Sequence, residues 1–434
     1  MRKRAIAAAA LAATISLVAA GCSSSGSGSS ASGSTITYWA SNQGTSLDND
    51  KEVLTPVLND FTKQTGVKVK LEVIGWNDLQ TRIQTAVTSG QGPDVLNIGN
   101  TWAASLQATG AFMPFGDSEM KAIGGSDKFV KTALETGGEA GKAPTSVPLY
   151  GLAYGLYYNK QMFTDAGVQP PTTWEELVTA AKAVTNGTTY GFSLAAGSYT
   201  ENCHFAFINS AQNGGEWFDS KGNPTFTTSA NVDGIKRYLD LMQTDKVVNP
   251  SNAQYDNGVQ AVNDFATGKV AMILSQNNAD SSIVANGMKS DQYGVVPFPS
   301  PEGGKPVASH VAGINLSIFK NTKNKDAALK FVKFMTSEDT QTTLGKPYAS
   351  LPVLNDAKAV FTDNAEEAAT FQKIYNEMSK PLPLVPAEDQ FENTVGKAMN
   401  DMFAKIATGS TVSDSDIKAA LATAQDQVKQ SIGG

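Results

Sequence analysis

The sequence contains few cysteines, histidines and arginines, and these scarcities limit what the protein can be. Two cysteines in 434 residues cannot form a disulfide framework, so the fold must depend on its hydrophobic core. Beyond residue 21 the only arginines are Arg82 and Arg237. With a net charge of −7, this composition argues against nucleic acid, which binds basic patches.

Long hydrophobic runs are also missing after the N-terminal segment. No run beyond residue 21 reaches the roughly 18 apolar residues that a membrane helix needs. The sequence has no Gly-x-Ser-x-Gly elbow and no phosphate-binding P-loop, the motifs of common hydrolases and nucleotide-binding proteins. We therefore expect no cofactor and no enzyme activity.

The first 34 residues have the features of an export signal followed by a tether. Three basic residues, Arg2 to Arg4, precede an apolar run over 6–20 that is typical of a signal peptide. The run ends in small residues before Cys22, which resembles a bacterial lipobox, and 23–34 contain only Ser, Gly and Ala. We predict a signal peptide at 1–21 and a lipidated Cys22 with a flexible tether at 22–34, which would hold the exported protein on the outer face of the cell membrane.

The rest of the chain alternates predicted strands and helices, which indicates an α/β fold. Strands are predicted at Thr35–Trp39, Val67–Ile74, Val95–Ile98, Gly155–Tyr158, Tyr190–Leu194, Val270–Leu274, Tyr293–Pro297 and Ile314–Ile318. Helices are predicted at Glu52–Thr65, Asp78–Ser89, Trp174–Val184, Asn231–Thr244, Val259–Ala266, Asp326–Met335 and, with a break near Gly409, Phe391–Ile432. Thr173 and Glu176 form a predicted capping box. No linker divides the chain, so two lobes would require several crossings between them.

Several stretches together resemble the extracellular solute-binding proteins of ABC importers, carbohydrate class, to which maltose-binding protein belongs. They are Gly92–Leu96, Leu156–Lys160, Pro171–Leu177, Phe265–Ile273, Val296–Pro299, Ala312–Asn315 and Lys325–Thr336. The resemblance implies two α/β lobes that close on a ligand in the cleft between them. One lobe would comprise 35–149 plus 312–345, and the other 150–311 plus 346–434.

The resemblance also implies a function. The protein would bind a sugar or short oligosaccharide and deliver it to the permease subunits of an ABC importer, acting as a monomer. Two alternatives stay open: a cell-surface enzyme acting on glycosides, which would need a pair of catalytic carboxylates, and a binding protein for a solute other than a sugar.

The predicted site follows from how proteins bind sugars. Aromatic rings stack on the apolar faces of pyranoses, and planar polar side chains pair with hydroxyls that would be costly to bury unpaired. Such residues recur on segments placed by the resemblance at the cleft, including a predicted loop at 201–205. The predicted ligand-binding residues are Trp39, Asn42, Gln43, Asn100, Thr101, Trp102, Tyr150, Tyr154, Asn202, His204, Gln276, Asn277, Asn278 and Gly313.

These positions include neither Lys nor Arg, so an anionic ligand would lack a partner. We therefore predict a neutral, hydroxyl-rich ligand. His204 has no second histidine near it in the sequence, which argues against a metal site. We interpret Trp76 as a packing residue.

The predicted anchor can be tested on the mature protein. Mass spectrometry of the mature N-terminus should show that Cys22 is the first residue and carries acyl chains. An unmodified Cys22, or cleavage at another residue, would contradict the prediction.

Overall fold

A computed structural model describes residues 34–44 and 46–433. The predicted signal peptide, Cys22 and all but the last residue of the predicted tether lie outside the described residues. The strands are β1 (Thr35–Ser41), β2 (Lys68–Ile74), β3 (Val95–Gly99), β4 (Ser146–Leu152), β5 (Tyr154–Asn159), β6 (Tyr190–Ser193), β7 (Val270–Gln276), β8 (Tyr293–Val296), β9 (Ser309–His310), β10 (Ala312–Ile318) and β11 (Ser379–Lys380).

Helices alternate with these strands along most of the chain, as the sequence predicts. They are α1 (Leu47–Thr65), α2 (Trp76–Ser89), α3 (Ala103–Ala108), α4 (Asp117–Ala122), α5 (Lys131–Glu135), α6 (Lys160–Ala166), α7 (Trp174–Val184), α8 (Tyr199–Gln212), α9 (Ser229–Gln243), α10 (Gly258–Ala266), α11 (Ala279–Ala285), α12 (Lys325–Met335), α13 (Glu338–Gly345), α14 (Ala365–Glu377), α15 (Glu388–Ala407) and α16 (Asp414–Gly433). Asn100–Trp102 and Pro250–Gln254 form 3₁₀ turns.

Two mixed β-sheets form the centres of two lobes, so the predicted α/β class is confirmed. The first lobe contains a five-stranded sheet in the order β2-β1-β3-β10-β4, and the second a four-stranded sheet in the order β6-β7-β5-β8. Strands β1, β2 and β3 run parallel, whereas β10 is antiparallel to both β3 and β4. In the second sheet β5 is antiparallel to β7 and β8, and β6 is parallel to β7.

Local sequence signals set the ends of several helices. The hydroxyl of Ser46 accepts a hydrogen bond from the Asn49 amide at the start of α1, and Gly66 ends the helix with a positive φ of 74°. The predicted capping box is confirmed: Thr173 and Glu176 exchange hydrogen bonds at the start of α7. These bonds satisfy amides that the first turn of a helix leaves unpaired.

Helix α8 is the main difference between the predicted and observed elements. The sequence analysis places 201–205 in a loop, but these residues lie in α8, which begins after Ser198 and is buried from Asn202 to Gln212. A helix that is buried on nearly all sides has no polar face. Its sequence therefore lacks the amphipathic period by which the other helices are recognised.

The chain passes between the lobes where the two sheets meet. Strand β4 continues through Leu152 and β5 begins at Tyr154, so the chain first passes from one sheet to the other at Ala153. The short strand β9 pairs with β11 just before β10 returns the chain to the first sheet. A third segment follows α13, where the amide of Leu351 donates to the carbonyl of Gly151.

Asn277 fastens two of these crossing segments together. It is fully buried, its Oδ1 accepts a hydrogen bond of 2.9 Å from the amide of Ala153, and its Nδ2 donates to the carbonyl of Ala349. The side-chain amide of this predicted ligand-binding residue is therefore already occupied by the backbone of the crossing segments.

Removing this amide should destabilise the fold. In Asn277→Ala the Ala153 amide and the Ala349 carbonyl lose their partners, and each buried polar group left unpaired costs about 1–3 kcal/mol. Urea denaturation should show a lower free energy of unfolding. Asn286→Ala is the matched control, since that exposed side chain bonds only the carbonyl of Ser282 in its own helix. Equal stability of the two variants would contradict the assigned role.

Candidate functional site

A cavity of about 720 Å³ lies between the two lobes. Both sheets and α15 contribute to its wall, which is rich in amides, hydroxyls and indoles. The lining residues are Asn42, Gln43, Gly44, Trp76, Gln80, Thr81, Gly99, Asn100, Thr101, Trp102, Leu152, Tyr199, Thr200, His204, Gln276, Asn278, His310, Ala312, Gly313, Ile314 and Glu392. None of these is Lys or Arg, so the described wall offers a ligand no fixed positive charge.

Nine of the predicted site residues lie in this wall. On the first lobe they are Asn42, Gln43, Asn100, Thr101, Trp102 and Gly313, and on the second His204, Gln276 and Asn278. Folding therefore brings together residues that lie far apart in the sequence. Asn42 and Gly313, for example, are 271 positions apart.

Two indoles form a corner of the cavity on the first lobe. Trp76, at the start of α2, and Trp102, at the end of the 3₁₀ turn after β3, meet with ring centroids 5.6 Å apart at an interplanar angle of 72°. The Nε1 of Trp76 donates a hydrogen bond of 2.7 Å to the carbonyl of Asn42. Trp76 thus lines the cavity in addition to packing, which the sequence analysis missed because its loop carried no motif of the resemblance.

The loop after β1 is held by a buried carboxylate. Asp50 on α1 is fully buried; it accepts hydrogen bonds from the Nδ2 of Asn42 and from the amides of Gln43 and Gly44. These bonds fix the backbone of the loop, which leaves the Asn42 and Gln43 side chains at the cavity in a defined position.

Backbone and side chains from the second crossing form the floor. The Nδ2 of Asn100 donates 2.8 Å to the carbonyl of Val311, tying the loop after β3 to the segment between β9 and β10. Gly313 has to be glycine, because a Cβ there would lie 2.3 Å from the carbonyl oxygen of Tyr150.

Five predicted residues lie outside the lining of the cavity. Asn277 is described above. Asn202 is fully buried in α8, where its Nδ2 donates to the carbonyl of Ala196 and to Asn400. Trp39 lies beneath the guanidinium of Arg82, which is 4.6 Å from the ring centroid.

The two predicted tyrosines support the wall from behind. Tyr150 packs against Tyr348, with ring centroids 5.3 Å apart. The hydroxyl of Tyr154 lies 3.1 Å from the Nδ1 of His204, and its ring packs on Phe205. Both rings are buried, so they position their neighbours without lining the cavity.

The two histidines of the chain meet at the cavity although they are 106 positions apart. His204 on α8 and His310 on β9 stack with ring centroids 4.1 Å apart. Burial lowers the pKa of His204 to about 3. Burial, together with the neighbouring His204, also lowers the pKa of His310 well below its ordinary value. Both rings are therefore neutral at physiological pH, and the Nε2 of His204 has no hydrogen-bond partner.

Helix α15 places one glutamate in the cavity wall next to His204 and a second glutamate one helical turn away. Glu392 lines the cavity and its Oε1 lies 3.8 Å from the Nε2 of His204, too far for a hydrogen bond. Glu388 is one helical turn earlier and buried. Burial raises the pKa of Glu392 to about 7. Burial, with the charge of Glu392 adding to the effect, raises the pKa of Glu388 well above its ordinary value. Neither glutamate is among the predicted ligand-binding residues.

Other features of the described residues do not form a competing site. No group of three or more His, Cys, Asp or Glu among them is placed to hold a metal ion, and none of their helices is long and apolar enough to cross a membrane. A second hollow of about 530 Å³ lies between α1, α12 and α13. It is lined from the first lobe alone, so movement of the lobes would not enclose a ligand there.

Comparison with known proteins agrees with this architecture. A diacetylchitobiose-binding protein of Streptomyces coelicolor is 25% identical over 370 residues, covering 83% of this chain and 82% of the relative. A probable amino-acid ABC transporter periplasmic-binding protein of Sinorhizobium fredii is 27% identical over 304 residues, 68% of each chain. Among solved structures, the sugar-binding protein MalE of Xanthomonas citri superposes with a TM-score of 0.77 at 19% identity, covering 92% of this chain and 98% of that one.

The family model for bacterial extracellular solute-binding proteins matches residues 43–342. The matched range contains the second sheet, the first sheet without β1, the first two crossing segments and most of the cavity wall. A two-lobed fold with a polar, indole-lined cavity between the lobes is the arrangement that such proteins use to enclose a solute. The chain therefore belongs to the bacterial extracellular solute-binding protein family.

Proposed function

We propose that the protein captures a hydroxyl-rich solute, a sugar or short oligosaccharide, in the cavity between its lobes and delivers it to an ABC importer. The observation that carries this proposal is the indole corner of Trp76 and Trp102, surrounded by the side-chain amides of Asn42, Gln43 and Gln276. The rings can bury the apolar face of a pyranose. The amides can pair with the hydroxyls around its edge.

The family and several relatives support a sugar as ligand. One relative is described as binding diacetylchitobiose, and another, from Streptococcus mutans, as a multiple sugar-binding protein. Solved structures of the same fold hold tagatose or maltotriose. We infer the same chemical class for this chain, with closure of the lobes as the step that presents the loaded protein to the permease.

The lining argues against a free amino acid, the ligand class suggested by the name of one relative. The α-carboxylate of an amino acid is usually paired with Arg or Lys, and the described wall has neither. Arg82 instead pairs with Glu72 and stacks on Trp39, while Arg237 bonds Asn209, Gln212 and Asn213.

The carboxylates of the site also favour binding over hydrolysis. Glycoside hydrolysis uses two carboxyl groups that flank the scissile bond. Glu388 and Glu392 are four positions apart on α15 and thus share one face of a single helix, so they approach a ligand from the same side. We therefore propose a binding protein without turnover.

Export and anchoring complete the proposal. The lipobox-like run before Cys22 and the Ser/Gly-rich segment at 23–34 support a protein held by lipid on the outer face of the cell membrane. A tether of a dozen such residues would allow the lobes to reach the permease on the same membrane.

Calorimetric titration with mono- to tetrasaccharides should identify a ligand with micromolar or better affinity, about −8 kcal/mol. Trp102→Ala should weaken its binding by about 2 kcal/mol or more, because the ring is expected to be a buried stacking anchor. Trp39→Ala is the matched control: it removes the same side chain from the same lobe outside the cavity, and its affinity should stay near that of the unmodified protein.

The dependence of affinity on salt concentration provides a second test of the proposed site. The affinity for a neutral saccharide should change little between low and high salt, because screening acts on charges. Unchanged affinity in Trp102→Ala, or the same loss in both tryptophan variants, would contradict the proposed site. Failure of every saccharide to bind would overturn the proposed ligand class.

A further inference from the structure

One end of the cavity carries the carboxyl group of Glu392, for which the described wall supplies no counter-ion, and Glu388 lies one helical turn away on the same helix. Glu392 is only 8% exposed and Glu388 only 2%, and neither Oε atom of Glu388 has a hydrogen-bond partner. Removing a carboxylate from water without pairing it is costly. A ligand group that brings positive charge would therefore gain more here than at any other part of the wall.

The neighbouring histidines do not supply this charge. His204 is the ring nearest to Glu392, but burial holds its pKa far below neutrality, and His310 stacks behind it in the same neutral state. The Nε2 of His204 has no hydrogen-bond partner, although the residue is more than nine-tenths buried and lines the cavity. A buried polar atom without a partner next to a buried carboxyl indicates that a ligand group completes this end of the site.

We propose that Glu392 and His204 form a subsite for a protonated amine, so that the protein prefers saccharides bearing an amino group over their hydroxyl counterparts. The inference rests on the proposed function, because it assigns a substituent of the sugar to one end of the same cavity. An ammonium group offers three donors, and its bond to a carboxylate is about twice as strong as one between neutral groups.

The hydroxyls on the same wall fit this assignment. Thr101 and Thr200 lie beside Glu392 and oppose the upward effect of burial on its pKa, so they stabilise the carboxylate form. Tyr154 holds the ring of His204 from the opposite side through its Nδ1. The carboxylate and the free Nε2 are thus fixed 3.8 Å apart, a spacing that a small polar substituent can bridge by contacting both groups.

The preference is tested with ligand pairs that differ only in this substituent: glucosamine with glucose, galactosamine with galactose, and the β-1,4-linked dimer of glucosamine with cellobiose. Titration at neutral pH should give about tenfold or greater preference for the amine in each pair that binds, as expected for a charge-assisted bond. The preference should shrink with added salt, since it depends on an ion pair.

Glu392→Gln is the informative variant, since it keeps the shape of the side chain and removes the charge. It should abolish the amine preference, so that the two members of each pair bind with affinities within a few-fold of each other. Glu377→Gln removes one charge from an exposed position on α14 and should keep the preference. Circular dichroism and thermal unfolding of each variant establish that it is folded; if Glu392→Gln does not fold, Glu392→Asp, which withdraws the charge from the subsite, replaces it.

The pH dependence gives a readout that a purely structural role would not produce. The groups that face Glu392 are Glu388 and Asp389 on its own helix, His204 and Cys203 on α8, and Tyr154 on β5, with His310 behind His204. In the free protein Glu392 loses its proton as the pH rises toward about 7. Affinity for the amine should therefore rise from pH 5 to 7, whereas that of the hydroxyl partner should not.

The outcomes separate the two proposals. Equal affinities within every pair that binds, or an amine preference that survives in Glu392→Gln, would overturn the amine subsite and leave sugar binding intact. Absence of binding by both members of all pairs, and by the wider saccharide set, would overturn the proposed function and this inference with it.

Discussion

The backbone of the segments that cross between the lobes is the constraint on which the site depends. The buried amide of Asn277 joins the passage at Ala153 to the segment at Ala349, and Gly313 allows β10 to lie against the carbonyl of Tyr150. The same segments form the floor of the cavity. The proposed closure of the lobes would turn about these segments.

The sequence predicts most of the fold because most elements have one buried face. The alternation in β2 and the helical spacing in α1 follow directly from such faces, and Gly66 and Thr173 mark ends by their own chemistry. Helix α8 is not predicted in this way, because it is buried on nearly every side. The point at Ala153 where the chain passes from one sheet to the other cannot be predicted either, because β4 and β5 are both buried and together form one apolar run.

The site is predictable only where it lies next to strand ends. Asn42, Asn100 and Trp102 follow β1 and β3, so their approach to the cavity follows from topology. Whether an amide faces the cavity or the interior depends on neighbours far away in the sequence, such as Asn400 for Asn202. Glu392 and His310 come from elements whose position is set by tertiary packing, and their contact with His204 has no local signal.

Enclosure of a sugar between two moving lobes should change the overall dimensions of the protein in solution. Solution scattering measures this change directly. Small-angle X-ray scattering of the purified protein is recorded without ligand and with a saturating saccharide identified by calorimetry. The radius of gyration should be smaller in the loaded protein than in the ligand-free protein, because closure brings the lobes together. An unchanged radius with a tightly bound saccharide would contradict the proposed closure.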